Sequence, residues 1–423
     1  MRRRSLRNLA SSAPARATAA VPPVSIKTFK TLGAKLQESK TLVYFGYAPK
    51  EGAGSAIIVY RHLLRFAEDG WKVRVVADWG QSEDVCRKND WPMMKLSHRK
   101  PWWPPFRPDA NWSRAIRVWL WAGEVRAWLG DEQPTAAVTY LSAFSDTLSL
   151  AAVGFARRYS VPLATVVHDD SRCFAESADA GHRAHRRRQW ILAHSTRGWF
   201  ASPGLAKCFH LDATRAGVLP PIPEGKSPAD DIPISPLGEE GPLLIYAGNY
   251  WPPQLATLAR LAAAARRAGG HFLAVLKENT DLVAYLRSHG VEWRGPFERN
   301  SEALHYFQAH ATALVVSYAE TTADMPWTRT SFPSKLIEYC HLGVPVVIVA
   351  PEETAVVEWV RTNHFPDVFT PDDMAGFSAY VRRLQDPSFR RDRASLARSF
   401  ACGEFDPAAI HRQLEDSLTG TIS

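Results

Sequence analysis

Between residues 331 and 350 the chain reads SFPSKLIEYCHLGVPVVIVA, with Lys335 and Glu338 three residues apart just ahead of an apolar run. Phe332-Pro333-Ser334 predicts the start of a short helix, with proline in the first turn and Ser331 or Ser334 as the cap. Gly343 predicts its end. A helix start offers free N–H groups and the positive end of the dipole, which suits a phosphate. Lys335 adds a full positive charge there. Glu338 falls on the same face one turn later, where a carboxylate can accept the hydroxyl protons of a ribose. A cation for phosphate and an acid for sugar are what a nucleotide requires. The same spacing also makes an ordinary i,i+3 ion pair worth about a few tenths of a kcal/mol, and spacing alone favours that plainer account.

Other reactive residues are scattered. His168 ends the apolar run PLATVVHDD. A histidine before two aspartates could belong to a metal site, but no second His or Cys stands close in sequence, so Asp169 and Asp170 read as a helix cap or a solvated loop. Gly52, Gly54 and Ser55 form a glycine loop before a helix, a weak signal alone. Lys277 ends another apolar run, HFLAVLK. KPWWPPFRPDANW, residues 100–112, packs three Trp and four Pro into a loop. It is suited either to sugar rings or a lipid interface, or to covering a core. HRAHRRRQW, residues 182–190, reads as a basic helical run: a solvated face, or one turned to acidic lipid or a pyrophosphate-linked acceptor.

The elements that must position these residues alternate. TLVYFGYA, a helix closed by Gly70, WKVRVVADW, a long helix from about Trp112 to Leu129, TAAVTYL, a helix over 143–158 and PLATVVHDD follow in order. GWFAS, a short helix and RAGVLP complete a first half. Residues 220–242, dense in Pro, Gly and acids, predict a linker. The alternation then resumes with GPLLIYAGN, helix 254–268, HFLAVLK, helix 281–288, VEWRG, helix 301–309, ATALVVSYAE, the opening helix, VPVVIVA, helix 354–361 and DVFT. Strands alternating with helices predict parallel sheets covered on both faces. Ligands bind such sheets at the carboxyl ends of their strands, so the expected site is a cleft between two domains.

The chain has 423 residues, enough for two or three domains. No apolar run reaches the roughly 18–20 residues of a membrane span. Five cysteines without a Cys-x-x-Cys pair predict a reducing compartment, with neither a disulfide framework nor a zinc site. Residues 1–37 carry eight Lys/Arg and no acid, which leaves 43 basic against 43 acidic residues elsewhere. The net +8 therefore belongs to an N-terminal arm, expected to be disordered. It reads first as a solubilising tail, then as a tether to anionic lipid, then as a transit peptide. The body has no nucleic-acid signature.

Taken together these segments resemble the GT-B glycosyltransferases, in particular the retaining group called family 4. SFPSKLIEYCHLGVPVVI resembles the family's donor-nucleotide motif, a Pro-Ser-Lys-x-x-Glu-Tyr helix followed by Gly-x-Pro-Val-Val. LLIYAGNYWPPQLATLARLAAAAR is similar to the first C-domain strand, glycine turn and helix, VEWRGPF to the strand-Gly element near the base, and EGAGSAIIVYRHLLRFAEDGWKVRVVA to the N-terminal glycine loop and helix. The resemblance spans most of residues 41–360 in order. It implies an α/β GT-B fold of two Rossmann-like doubly wound domains: a basic arm over 1–40, an acceptor domain over 41–219, a linker over 220–242 and a donor domain over 243–371. Helices over 372–423 would pack back on the first domain.

It also implies roles. Glu338 would hold the ribose hydroxyls, and Ser331, Ser334, Lys335 and Leu336 would lie at the pyrophosphate or ribose. Gly248 would let backbone approach the phosphates, Phe297 would flank the base, and His168 would contact the donor sugar. Gly52, Gly54 and Ser55 would reach across the cleft. Lys335 and Lys277 would stabilise the leaving diphosphate. The chain departs from the family at two places. Thr330 stands where an acid normally touches the transferred sugar, and the loop Gly248–Gln254 lacks the usual Arg and Lys. The implied protein is a cytoplasmic glycosyltransferase, metal- and cofactor-free, with a UDP- or GDP-sugar as donor and a glycan or lipid-linked acceptor. It would serve surface polysaccharide or glycoconjugate biosynthesis, with peripheral membrane contact through the arm. Its rivals are a nucleotide-sugar epimerase and a catalytically silent binding or scaffold subunit.

Overall fold

The computed structural model describes residues 40–51, 54–78, 80–96, 111–141, 146–223, 237 and 240–420. The basic arm, Gly52, the Trp/Pro-rich loop apart from Asn111 and Trp112, and most of the linker lie outside these residues, as do the side chains of Ser55 and Trp112.

The strands are β1 (Thr41–Phe45), β2 (Lys72–Asp78), β3 (Met93–Leu96), β4 (Ala136–Leu141), β5 (Leu163–Val167), β6 (Arg197–Phe200) and β7 (Ala216–Val218), then β8 (Leu243–Ala247), β9 (His271–Val275), β10 (Glu292–Arg294), β11 (Ala313–Ser317), β12 (Val346–Val349) and β13 (Val368–Phe369). The first seven form one sheet in the order β3-β2-β1-β4-β5-β6-β7, and the last six a second in the order β10-β9-β8-β11-β12-β13. Every pairing is parallel. Leu42 of β1 sits between Val73 and Ala136, and Leu244 of β8 between Phe272 and Ala313. Strand order therefore reverses at β1/β4 and at β8/β11, and a crevice opens at the carboxyl end of each such pair.

The helices are α1 (Gly54–Glu68), α2 (Asp84–Lys88), α3 (Asn111–Leu129), α4 (Thr147–Tyr159), α5 (Ala178–Ala193), α6 (Pro203–Lys207), α7 (Gln254–Arg267), α8 (Thr280–Ser288), α9 (Asn300–His310), α10 (Ser334–Cys340), α11 (Ala355–Asn363), α12 (Met374–Arg383), α13 (Pro387–Cys402) and α14 (Pro407–Thr419). Central strands such as β1, β4 and β5 are buried along their whole length. That double burial is why they read as unbroken apolar runs. One face of the first sheet packs Val43 and Phe45 against Val125 of α3 and Phe155 of α4. On the other face Leu42 and Tyr44 meet Phe66 of α1 and Ile410, Leu414 and Leu418 of α14. The second sheet is covered by α10 on one side and by α7 and α12 on the other. Residues 40–423 form one compact unit.

Several sequence expectations shift locally. The strand predicted over TLVYFGYA stops at Phe45, and Gly46 bends away while its N–H donates to Val76 O at 3.1 Å. The helix predicted from 143 begins at Thr147. The predicted side-chain cap of α10 is absent. Pro333 occupies the N-cap position with no side-chain hydrogen bond, because Ser334 is already helical and Ser331 is bonded elsewhere. Gly343 turns the chain at φ +63°, three residues past the last helical one.

Candidate functional site

The turn after β8 and the start of α10 meet. Gly248 takes φ +106°, and a Cβ built on it would lie 2.8 Å from Lys335 Cε. Glycine is what lets the lysine lie across the turn. Lys335 Nζ donates to Tyr246 Oη at 3.1 Å and to the Asn249 carbonyl at 3.3 Å, and sits 4.2 Å from the centre of the Tyr246 ring.

The plainer reading of Lys335 and Glu338 as an i,i+3 ion pair is thereby corrected. Glu338 Oε1 instead accepts from Arg61 Nη2 of α1, a residue of the first half of the chain. Arg61 Nη1 also donates to the Ile222 carbonyl at 2.8 Å. The Arg61 side chain is 5% exposed and that of Glu338 18%. A desolvated guanidinium needs a carboxylate partner far more than Lys335 does. Arg61 carries no sequence motif, and its only signal was a cation inside the apolar run IIVYRHLL.

Across the crevice, His168 follows β5. It is buried beside the Tyr140 ring, and its Nε2 has no hydrogen-bond partner. Burial pulls its pKa down to about 4, so the ring is neutral at ordinary pH. Asp170 caps the turn Ser171–Phe174, accepting from Arg172 N at 3.0 Å, and pairs with the Arg172 guanidinium at 2.7 Å. Burial alone would raise its pKa, but those bonds lower it. Asp169, read like Asp170 from the sequence, is different. It is largely enclosed, burial raises its pKa, and Ser331 Oγ donates to its Oδ1 at 2.8 Å. The basic run also divides. Arg188 is 2% exposed and its Nη1 donates to the Asp169 carbonyl at 3.4 Å, while His185 is buried against Phe209. His182, Arg183 and Arg186 remain on the surface.

Between these walls lies a cavity of about 280 Å³. Ile58, His168 and Asp169 line it from the first half, and Tyr246, Asn249, Ser331, Ser334 and Lys335 from the second. Trp251 and Trp327, which the sequence reading passed over, form an aromatic side with ring centres 4.4 Å apart.

Other expected residues stand away from it. Thr330 turns its carbonyl to Ser202 Oγ at 2.5 Å, and its own hydroxyl donates to Trp327 O at 3.3 Å. The acid-lacking position thus holds the two halves together. Leu336 is fully buried, so only its backbone could face a ligand. Phe297 packs on Tyr306 and under the Arg294 guanidinium, 3.9 Å from its ring centre. Lys277 is exposed two residues beyond β9, next to the Gly248 turn, whose N–H donates to Val275 O at 3.1 Å. Gly54 opens α1. No helix among the described residues is long and apolar enough to cross a membrane.

No family model matches the chain, and no curated protein matches it. Solved structures match its fold. The lipopolysaccharide outer core galactosyltransferase WaaB, in its apo form, is 13% identical with a TM-score of 0.58, over 90% of this chain and 100% of WaaB. A glycosyltransferase from Rickettsia africae ESF-5 is 10% identical with a TM-score of 0.63, over 90% and 98%. Anabaena Alr3699/HepE, in complex with UDP and glucose, is 12% identical with a TM-score of 0.62, over 90% and 100%. At such identities the likeness is one of fold: the two parallel sheets are those of the GT-B architecture.

Proposed function

We propose that this GT-B protein is a glycosyltransferase that moves a sugar from a nucleotide diphosphate donor to a glycan or lipid-linked acceptor, with retention, in surface polysaccharide or glycoconjugate biosynthesis. The observation carrying the reading is the cavity that faces Lys335 and the start of α10 toward His168 and Asp169. A diphosphate fits the Lys335 side, where the Gly248 turn leaves room for backbone approach and helix N–H groups add positive field. Ser331 and Ser334 line the cavity, and the Leu336 backbone, Lys277 and Phe297, outside its lining, are assigned to the pyrophosphate, the leaving charge and the base. Glu338, oriented by Arg61 through Oε1, keeps its second oxygen for ribose, since a carboxylate has about four acceptor sites.

Catalysis would rest on positioning and on stabilising charge at the leaving diphosphate. The neutral His168 offers Nε2 to the sugar. Asp169 supplies the carboxylate that Thr330 lacks. HepE's complex with UDP makes UDP-sugars the first donors to try. Inversion is favoured by one observation, the raised pKa of Asp169, which suits a base for an acceptor hydroxyl. Product anomeric configuration by NMR distinguishes the two.

A donor screen by calorimetry and mass spectrometry tests the whole reading. Absence of binding by every UDP- and GDP-sugar at millimolar concentration refutes it in favour of a silent scaffold. Turnover without acceptor points to an epimerase. The arm's proposed lipid contact requires that deleting residues 1–37 lowers retention on anionic liposomes.

A further inference from the structure

A second constellation lies outside this cavity, where the end of α1 meets the last helix. His411 and Glu415 stand four apart on α14 and so share a face. Asp69 follows the last residue of α1, at the negative end of that helix's dipole, where a cation is favoured. One ligand atom from each of Asp69, His411 and Glu415 lies within 4.8 Å of the others. His411 is 2% exposed. Its Nε2 has no hydrogen-bond partner and lies 3.4 Å from Asp69 Oδ2.

We propose that Asp69, His411 and Glu415 form a divalent-cation site that clamps α14 onto α1, with zinc as the best-fitting occupant. One imidazole and two carboxylates are a donor set zinc accepts, with a fourth position for water. Ligands about 2.1 Å from a tetrahedral ion stand about 3.4 Å apart. Rotation of the two carboxylates covers the difference, and Asp69 is 51% exposed and able to turn.

The surrounding bonds suit a ligand set. His411 Nδ1 faces His62 Nδ1 at 3.2 Å. The tautomer in which His411 Nδ1–H donates to His62 leaves the Nε2 lone pair for a metal. Trp71 Nε1 donates to Glu415 Oε1 at 2.8 Å, and Lys40 Nζ approaches the same oxygen at 3.4 Å. Both bonds go to Oε1, which leaves Oε2 available to a metal. The clamp fixes the helix that carries Ile58 and Arg61 into the cleft, so metal would stiffen the nucleotide site without touching it.

The test is zinc titration of tag-free, chelator-stripped full-length protein by calorimetry, with bound metal counted after dialysis. One zinc per chain is expected. Asp69→Asn and Glu415→Gln should each weaken uptake tenfold or more, the scale of losing a metal-site partner. Should His411→Gln fail to fold, Asp69→Asn, at a half-exposed position, still decides. No saturable uptake by the wild type, the result expected if Lys40 alone neutralises the carboxylates, overturns the proposal. So does zinc binding in both carboxylate variants equal to wild type.

Discussion

Glu338→Ala tests the assignment on which the nucleotide site turns. The substitution removes the carboxylate proposed to hold ribose and leaves Arg61, 5% exposed, with the Ile222 carbonyl as its remaining hydrogen-bond partner among the described residues. Truncating one member of a buried pair costs about 3–5 kcal/mol. Glu338 is 18% exposed, so the loss should fall at the lower end, about 3 kcal/mol. Hydrogen bonds to a charged group contribute about 1.5–3 kcal/mol, so UDP affinity should fall about 10- to 150-fold. Arg61→Met keeps the carboxylate but frees it to rotate, and a loss of about 1 kcal/mol predicts roughly fivefold weaker binding. Because both act through one carboxylate, the double variant should match Glu338→Ala within about 0.5 kcal/mol, not multiply the two effects. UDP titration of the four proteins, each checked by thermal melting, reads this out. Unchanged affinity in Glu338→Ala refutes the ribose contact. Tighter binding in Arg61→Met refutes the orienting role and makes Arg61 a competitor for the same oxygens.

Lys335→Met should lower kcat about 10²- to 10³-fold, as for loss of one preorganised donor to a developing oxyanion. Melting should change little, since among the described residues Lys335 bonds only neutral oxygens, Tyr246 Oη and Asn249 O. Gly248→Ala forces a Cβ against Lys335 at φ +106° and should both destabilise by more than about 1 kcal/mol and reduce kcat. Asp169 has its pKa raised by burial, so its contribution to stability is present at low pH and lost as pH rises through the folded value. Asp169→Asn should therefore be more stable than wild type at pH 8, with the difference closing as pH falls toward the ordinary aspartate range, yet turn over poorly; urea melts across that range and rates at pH 8 check this. His168 has a depressed pKa of about 4, so its contribution is present above the ordinary histidine range and lost as pH falls toward 4. Between pH 7 and 4.5 the wild type should lose about 2–3 kcal/mol more than His168→Gln.

The architecture was legible because parallel strands buried on both faces leave continuous apolar runs, and the helices between them leave periodic ones. The linkage of the two halves was not. Lys335 and Glu338 stand one turn apart on α10, yet they reach different partners, Tyr246 and Arg61, from separate parts of the chain. Spacing describes neighbours along a helix, and it says nothing of what packs against each. Asp169 and Asp170 make the same point: Asp170 has Arg172 two residues on to bond, a local pattern open to sequence reading. Asp169 meets Ser331, 162 residues away, a contact that no local pattern announces. The basic run misled for the opposite reason. Composition made it one surface, while its helical period turned Arg188 and His185 inward.

Thr330 is where these observations combine. In the family this chain resembles, that position brings an acid from the second domain to the sugar. Here its carbonyl binds Ser202, its neighbour Ser331 binds Asp169, and Glu338 binds Arg61. Three links from the α10 region thus reach the first half of the chain, and each uses a polar group that a donor sugar nucleotide could otherwise claim. Two of them end on charged, largely enclosed side chains, which hold only while both partners are present. Restoring the acid with Thr330→Glu would add a second carboxylate on the residue before Ser331, the partner of Asp169, and raise the cost of keeping both charged. On the reading proposed above, the carboxylate at the sugar comes from Asp169, on the other side of the cleft. Thr330→Glu should consequently fail to raise kcat in the wild type, and should partly restore it in Asp169→Asn, where the neighbouring charge is gone. Higher turnover in the single Thr330→Glu variant would mean that Asp169 does not stand in for the missing acid.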